Sequence, residues 1–170
     1  MRGVTVCIEP HVGGAVDTLE RAEWVVQAAN SSSLRLDFVV SHFEVVGVPL
    51  EESVARLLPL AGAAEIKDQQ FRYSDSGDGD PNWLVEGNGV GRAVAPDGRP
   101  VEFQFLLGGE GTFDLPEYLR LVKAQGFTRP IAFEASVQCQ ARPDYDAIAE
   151  AKRIYAWMRV GWQSAGMPVD

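Results

Sequence analysis

The sequence predicts an α/β protein built from parallel strand–helix units, and three observations carry that prediction. Acidic residues that close apolar, β-prone runs recur at equal steps: 28 residues separate Glu9 from Asp37, and 28 separate Asp37 from Glu65. That step is the length of one βα unit. Uncharged runs such as Val4-Thr5-Val6-Cys7-Ile8 suit strands buried on both faces, as in parallel sheets flanked by helices. Between them lie segments with apolar residues at helical spacing, opened by capping signals.

The first strand delivers Glu9, Pro10 and His11 to its C-terminal tip. Gly13-Gly14 break the chain, and Asp17 with Glu20 reads as a capping box for a helix that carries Leu19, Ala22, Val25, Val26 and Ala29. Asn30-Ser31-Ser32-Ser33 close it. A second strand, Leu34 to Val40, leads to Ser41 and His42. A helix follows Pro49 through Val54, Leu57 and Leu58, Pro59 ends it, and a third strand runs from Ala63 to Asp68. The rhythm then breaks. Residues 69–108 read as an insertion: an Asp/Gly/Ser-rich loop at 74–81, then β-prone Trp83-Leu84-Val85 and Val101 to Phe105 flanking a Pro96-Asp97-Gly98 turn, a β-hairpin signal. The repeat resumes with a second capping box, Asp114 with Glu117, a helix through Leu115, Leu119 and Val122, and Gly126 as its C-cap. Pro130 to Glu134 is the fourth strand. A final helix, 144–162, carries Ile148, Ala151, Ile154, Tyr155 and Met158 on one face.

With 170 residues, 46% hydrophobic and 23% charged, the chain reads as one domain, 1–170, with the hairpin inside it. Its net charge of −9 repels polyanions and argues against a nucleic-acid surface. Two cysteines, Cys7 and Cys139, form no disulfide framework and fit a reducing cytoplasm. The sequence shows neither a leader peptide nor a membrane span.

Glu9, Asp37, Glu65 and Glu134 close four different strands. In a parallel sheet with right-handed crossovers, equivalent strand tips lie side by side, so the four acids are expected on one rim. Together they offer oxygen donors for a divalent ion, Mn²⁺ or Mg²⁺ in preference to Zn²⁺, and two of them can carry protons. Crowded carboxylates require either a cation or raised pKa values. His11 and His42 are candidates for substrate or metal contact, or for packing. Lys67 either neutralises the acids, binds a substrate oxygen or pairs at the surface. Arg72 and Arg142 are candidate clamps for phosphate or hydroxyl groups.

Five pieces, IEPH at 8–11, LDFVVSHF at 36–43, EIKDQ at 65–69, GGEGTFD at 108–114 and IAFEAS at 131–136, resemble in order the C-terminal half of the sugar phosphate isomerases and epimerases of the xylose isomerase-like TIM-barrel superfamily. The resemblance implies strands five to eight of a barrel and metal-dependent isomerisation or epimerisation of a small sugar or sugar phosphate. It makes Glu9 and Glu134 the acid/base pair and metal ligands, Asp37 a third ligand, and His11 or His42 substrate contacts; from the residues themselves, Glu65 is expected to complete the metal set and Lys67 and Arg72 to join the substrate contacts. The pattern departs at Glu65, where the family carries histidine. It departs again at Asp37, which lies five residues before His42 instead of three, so either a bulge realigns Asp37 or that ligand is lost. A barrel has eight strands and this chain supplies four. The open edges imply pairing with a second copy or with a separate N-terminal half. A non-catalytic half-barrel that binds a ligand or serves assembly is the alternative.

Overall fold

The computed structural model describes residues 3–74 and 83–167. In chain order its elements are β1 (Val6–Ile8), α1 (Leu19–Ala29), β2 (Leu34–Val39), the short α2 (Ser41–Glu44), α3 (Leu50–Leu57), β3 (Ala61–Ile66), β4 (Asp68–Tyr73), β5 (Gly91–Val94), β6 (Pro100–Leu106), α4 (Leu115–Ala124), β7 (Ile131–Phe133), the short α5 (Val137–Gln140) and α6 (Ala147–Ser164). Strands β1, β2, β3 and β7 form a parallel sheet in that order, and β4, β6 and β5 form an antiparallel one. The four expected parallel strands are all present.

The helices pack on one face of the parallel sheet. Leu36 and Phe38 of β2 and Ala64 and Ile66 of β3 meet Leu19 and Ala22 of α1, Val54 and Leu57 of α3, and Leu115, Leu119 and Val122 of α4 in one buried cluster. Side chains alternate across a strand, so Asp37 and Glu65 point to the opposite face. The β2–β3 register shifts between Leu36 and Asp37, leaving Asp37 level with Ala63 and Val39 level with Glu65.

Local signals set most helix ends. The Asp114 carboxylate accepts the Glu117 N–H at 2.9 Å, and Asp146 caps α6 by accepting from Ile148 and Ala149. The first helix differs by one residue: Thr18 is its cap, accepting the Arg21 N–H, while Asp17 pairs with the Arg21 guanidinium. Asn30 ends that helix in the left-handed conformation.

The insertion is larger than a hairpin. The third parallel strand stops at Ile66, and residues from Asp68 onward leave it as β4, which pairs along β6. Trp83-Leu84-Val85 is not a strand. The Gln104 side chain bonds both the N–H and the C=O of Val85, occupying the groups a ladder would use. The Asp97-Gly98 turn stands, with Gly98 at φ 88° and its N–H on Ala95 O. The loop expected at 74–81 lies, beyond Ser74, outside the described residues. Ile148 and Tyr155 of the predicted α6 core face are 71% and 64% exposed, whereas Ile154 is buried. Among the described residues, no helix is long and apolar enough to cross a membrane. Both cysteines are free thiols, Cys139 buried and Cys7 half-buried.

Candidate functional site

Strand ends build the site. Glu9 follows β1, His42 sits in the turn after β2, Lys67 follows β3, and Glu134 follows β7. Ser41 locks the middle of this arrangement: its hydroxyl donates to Lys67 O at 2.6 Å and accepts the Lys67 N–H at 3.0 Å. One serine thus ties the tips of β2 and β3 and sets the His42 and Lys67 side chains against each other.

Lys67 is 2% exposed, and its ammonium stands among polar partners. Nζ lies 3.0 Å from Glu134 Oε2, 3.1 Å from His42 Nε2 and 4.0 Å from Glu9 Oε1, and 4.9 Å from the centre of the Phe105 ring. Burial of an ammonium costs several kcal/mol unless such partners replace its water. Edge strands of a flat four-stranded sheet are about 14 Å apart, yet Glu9 beyond β1 and Glu134 beyond β7 both reach this one nitrogen. The sheet is therefore strongly curved, and its concave side holds the acids.

His42 is 1% exposed. Its Nε2 also lies 3.1 Å from Glu9 Oε1, its ring is 3.9 Å from that of His11, and Phe105 meets it edge-on at 5.1 Å. Burial, then the Lys67 ammonium and His11, hold its pKa down at about 2, so the ring is neutral. A neutral ring carries one proton and one acceptor nitrogen, and Nδ1 is buried with no hydrogen-bond partner.

The other two acids complete the cluster. Glu65 is pushed up to about 7, first by burial and then by Asp37, Glu134 and Glu9, with a hydrogen bond to Glu134 adding to the effect. Asp37 is raised as well, by burial and by Glu134, and its Oδ1 is buried without a partner. Glu65 thus feels the charges of Asp37, Glu134 and Glu9, and Asp37 that of Glu134. The Lys67 ammonium offsets Glu134 and, at longer range, Glu9.

Arg72 and Arg142 are placed elsewhere. Arg72 lies on β4, bonded to Glu102 and stacked 4.7 Å from the Trp83 ring, so its placement lends no support to a substrate role. Arg142 is bidentate to Glu110 and also donates to Asn88. The glycine-rich stretch before α4 is a loop pinned from beneath. Asp68 Oδ2 accepts the N–H groups of Gly109 and Gly111 at 2.7 and 2.8 Å, and Oδ1 accepts those of Gln69 and Phe113. Ser41 and Phe105 are the site residues that sequence reasoning overlooked. Ser41 had a weak signal, its place between a strand end and a histidine, whereas Phe105 had none, because its contact depends on how the second sheet folds over.

A cleft of about 650 Å³ adjoins the cluster through Val12, the residue after His11, and is walled by Val46, Val48, Tyr73, Val94 and Pro96. Donor atoms of Glu9, His11 and His42 lie within 4.8 Å of one another, making this trio a possible metal site.

No protein-family profile matches the chain, and no curated protein matches it. Solved structures do. An L-ribulose 3-epimerase superposes with a TM-score of 0.63 at 15% identity, over 96% of this chain and 48% of its own. The IolI protein, with a bound zinc atom, gives 0.57 at 20% identity over 96% and 49%. A xylose isomerase-like TIM-barrel protein from Mycobacterium smegmatis, in complex with magnesium, gives 0.56 at 15% identity over 95% and 45%. The chain thus spans about half the length of each and has the fold of one half of such a barrel.

Proposed function

We propose that this chain is the catalytic half of an isomerase or epimerase that moves a proton at the carbon beside a carbonyl of a small sugar or sugar phosphate. One observation carries the reading: Glu9 and Glu134, from opposite edges of the sheet, converge on the Lys67 ammonium. Two carboxylates flanking one cationic donor are the parts such a reaction needs. One carboxylate takes the proton as the C–H bond breaks. The electron pair moves to the carbonyl oxygen, and the enediolate oxygen accepts a hydrogen bond from Lys67 Nζ. Protonation of the same carbon from the other carboxylate, which enters as the acid, on the opposite face inverts it; protonation of the former carbonyl carbon, with the neighbouring hydroxyl proton passing to its oxygen, isomerises the sugar. His11 and His42 line the approach and bind hydroxyl groups.

Two of the matched structures hold zinc or magnesium. Here, of the set expected from the sequence, Glu9, Asp37, Glu65 and Glu134, the first and last hold the Lys67 ammonium between them. In the Glu9–His11–His42 trio, His42 Nε2 has one lone pair and already faces Lys67 at 3.1 Å. With Lys67 in this position the residues do not fit a divalent ion, and the mechanism uses the chain's own groups.

Four strands leave two open edges, and apolar side chains are exposed beside both: Val6 and Trp24 near β1, Ile148 and Tyr155 on α6. The catalytic half works with a second half that covers these edges. Two copies would bring two acidic concave faces together, so a half with a neutral or basic inner face is the better match.

The test is exchange of solvent deuterium into the α-carbon of a panel of ketoses and ketose phosphates. Exchange that falls at least 100-fold in Glu134→Gln, with the fold intact, supports the reading. Absence of exchange with every substrate, in the presence of the completing half, favours the binding or assembly module.

A further inference from the structure

We infer that Lys67 is the resident cation of this site, a built-in ammonium standing where a metalloenzyme would place its ion, so that the chain works without a metal. The inference rests on the proton-transfer reading above and adds the identity of the electrophile.

Three features of the site support this role. The ammonium is built in, not borrowed from a mobile surface chain: Ser41 fixes the Lys67 backbone on both sides, the residue is 2% exposed, and Phe105 lies under the charge. Its partners are also the groups a metal would need. Glu134, Glu9 and His42 offer their nearest atoms at 3.0, 4.0 and 3.1 Å, and a divalent ion sharing those atoms would lie against a buried positive charge. At the low effective dielectric of such a pocket, that repulsion opposes entry of the ion. Finally, the inward position level with Glu65 on the neighbouring strand is Val39, fully buried and with nothing to donate. Two carboxylates and a neutral imidazole gathered at one buried ammonium describe a site built around a lysine.

A lysine suits this role because its three N–H donors can hold Glu134 and still turn one toward a substrate oxygen. As negative charge grows on that oxygen, the hydrogen bond from Nζ strengthens without any change in ligand number.

The experiment is metal binding by chelator-washed protein, read by elemental analysis and by thermal shift with millimolar Mn²⁺, Mg²⁺ or Zn²⁺. Wild type is expected to carry essentially no ion and to show no shift. Lys67→Ala and the longer Lys67→Met free the carboxylates and are expected to take up about one Mn²⁺ per chain, with a rise in melting temperature. A variant that folds only when the ion is supplied supports the inference equally. Wild type that binds one ion, and loses it in Glu134→Gln, overturns it. So do variants that stay metal-free, whether folded or unfolded in the presence of the ion. Deuterium exchange separates this result from the functional reading. Exchange that needs added Mn²⁺ keeps the function and sinks the lysine, whereas a metal-free site without exchange keeps the lysine and sinks the function.

Discussion

Lys67 and Glu134 extend from adjacent parallel strands and meet as an ion pair at 3.0 Å, with the ammonium buried and the carboxylate partly open to water. Replacing the lysine by methionine keeps the stem packed and removes the charge. Glu9 and Glu134 then lose the cation they share. Lys67→Met is expected to unfold about 1–3 kcal/mol more easily than wild type at neutral pH. A variant as stable as wild type in urea titrations would show that the lysine contributes packing alone.

Asp68 gives the loop before α4 its shape, because one carboxylate accepts four backbone N–H groups. Asp68→Ala leaves buried donors unpaired, each costing about 1–3 kcal/mol, so the loss is expected to exceed 3 kcal/mol. Gly111→Ala probes the same contact from the other side. A Cβ there would collide with Asp68 Oδ1 and Gln69 O, too close for either to remain in place. An overpacking cost of about 1–3 kcal/mol is expected, and a Gly111→Ala protein as stable as wild type would show that the loop gives way freely.

Much of this arrangement was legible in the sequence where the signal was local. The strands that carry Glu9, Asp37, Glu65 and Glu134 at or near their ends, the Asp114 cap and the Asp97-Gly98 turn follow from residue pattern and turn chemistry within a few positions. Lys67 at the centre was open among three roles, because its environment is set by residues 25 to 67 positions away. Trp83-Leu84-Val85 looked like a strand from its own composition, but a glutamine from another strand takes its backbone groups. The α6 face was misjudged for a different reason. Ile148 and Tyr155 keep a core pattern at helical spacing, yet the helix turns them outward.

Stability should fall as pH rises through neutrality. Glu44 accepts a hydrogen bond from Gln69 Nε2 at 3.0 Å, and burial, helped by Asp114, Asp68 and Glu51, lifts its pKa from 4.5 to about 7. The folded chain therefore holds a proton that the unfolded chain releases near 4.5. The stabilisation from this proton is complete below that value and is lost as pH climbs through about 7. Glu65 acts with the same sign. Glu44→Gln keeps a neutral side chain at all pH values and is expected to flatten the decline in melting temperature between pH 5 and 8, with its largest gain at the alkaline end. An unchanged slope in the variant would remove Glu44 from the account.

The open edges make the last prediction. Trp24 on α1 is 68% exposed and Ile148 on α6 is 71% exposed, at opposite ends of the parallel sheet. Each apolar Å² taken from water contributes about 25 cal/mol, and unpaired strand edges add hydrogen bonds that only another strand can satisfy. The chain is therefore expected to sediment above the mass of one copy, or to bind a four-stranded half that supplies the rest of the barrel, and the latter more tightly because its inner face need not be acidic. Trp24→Gln combined with Ile148→Gln should weaken that association at least tenfold while the far-ultraviolet spectrum of the monomer is kept. A wild-type protein that sediments as a single copy at high concentration, and ignores the complementary half, would mean that these edges are tolerated in water and that the half-barrel stands alone.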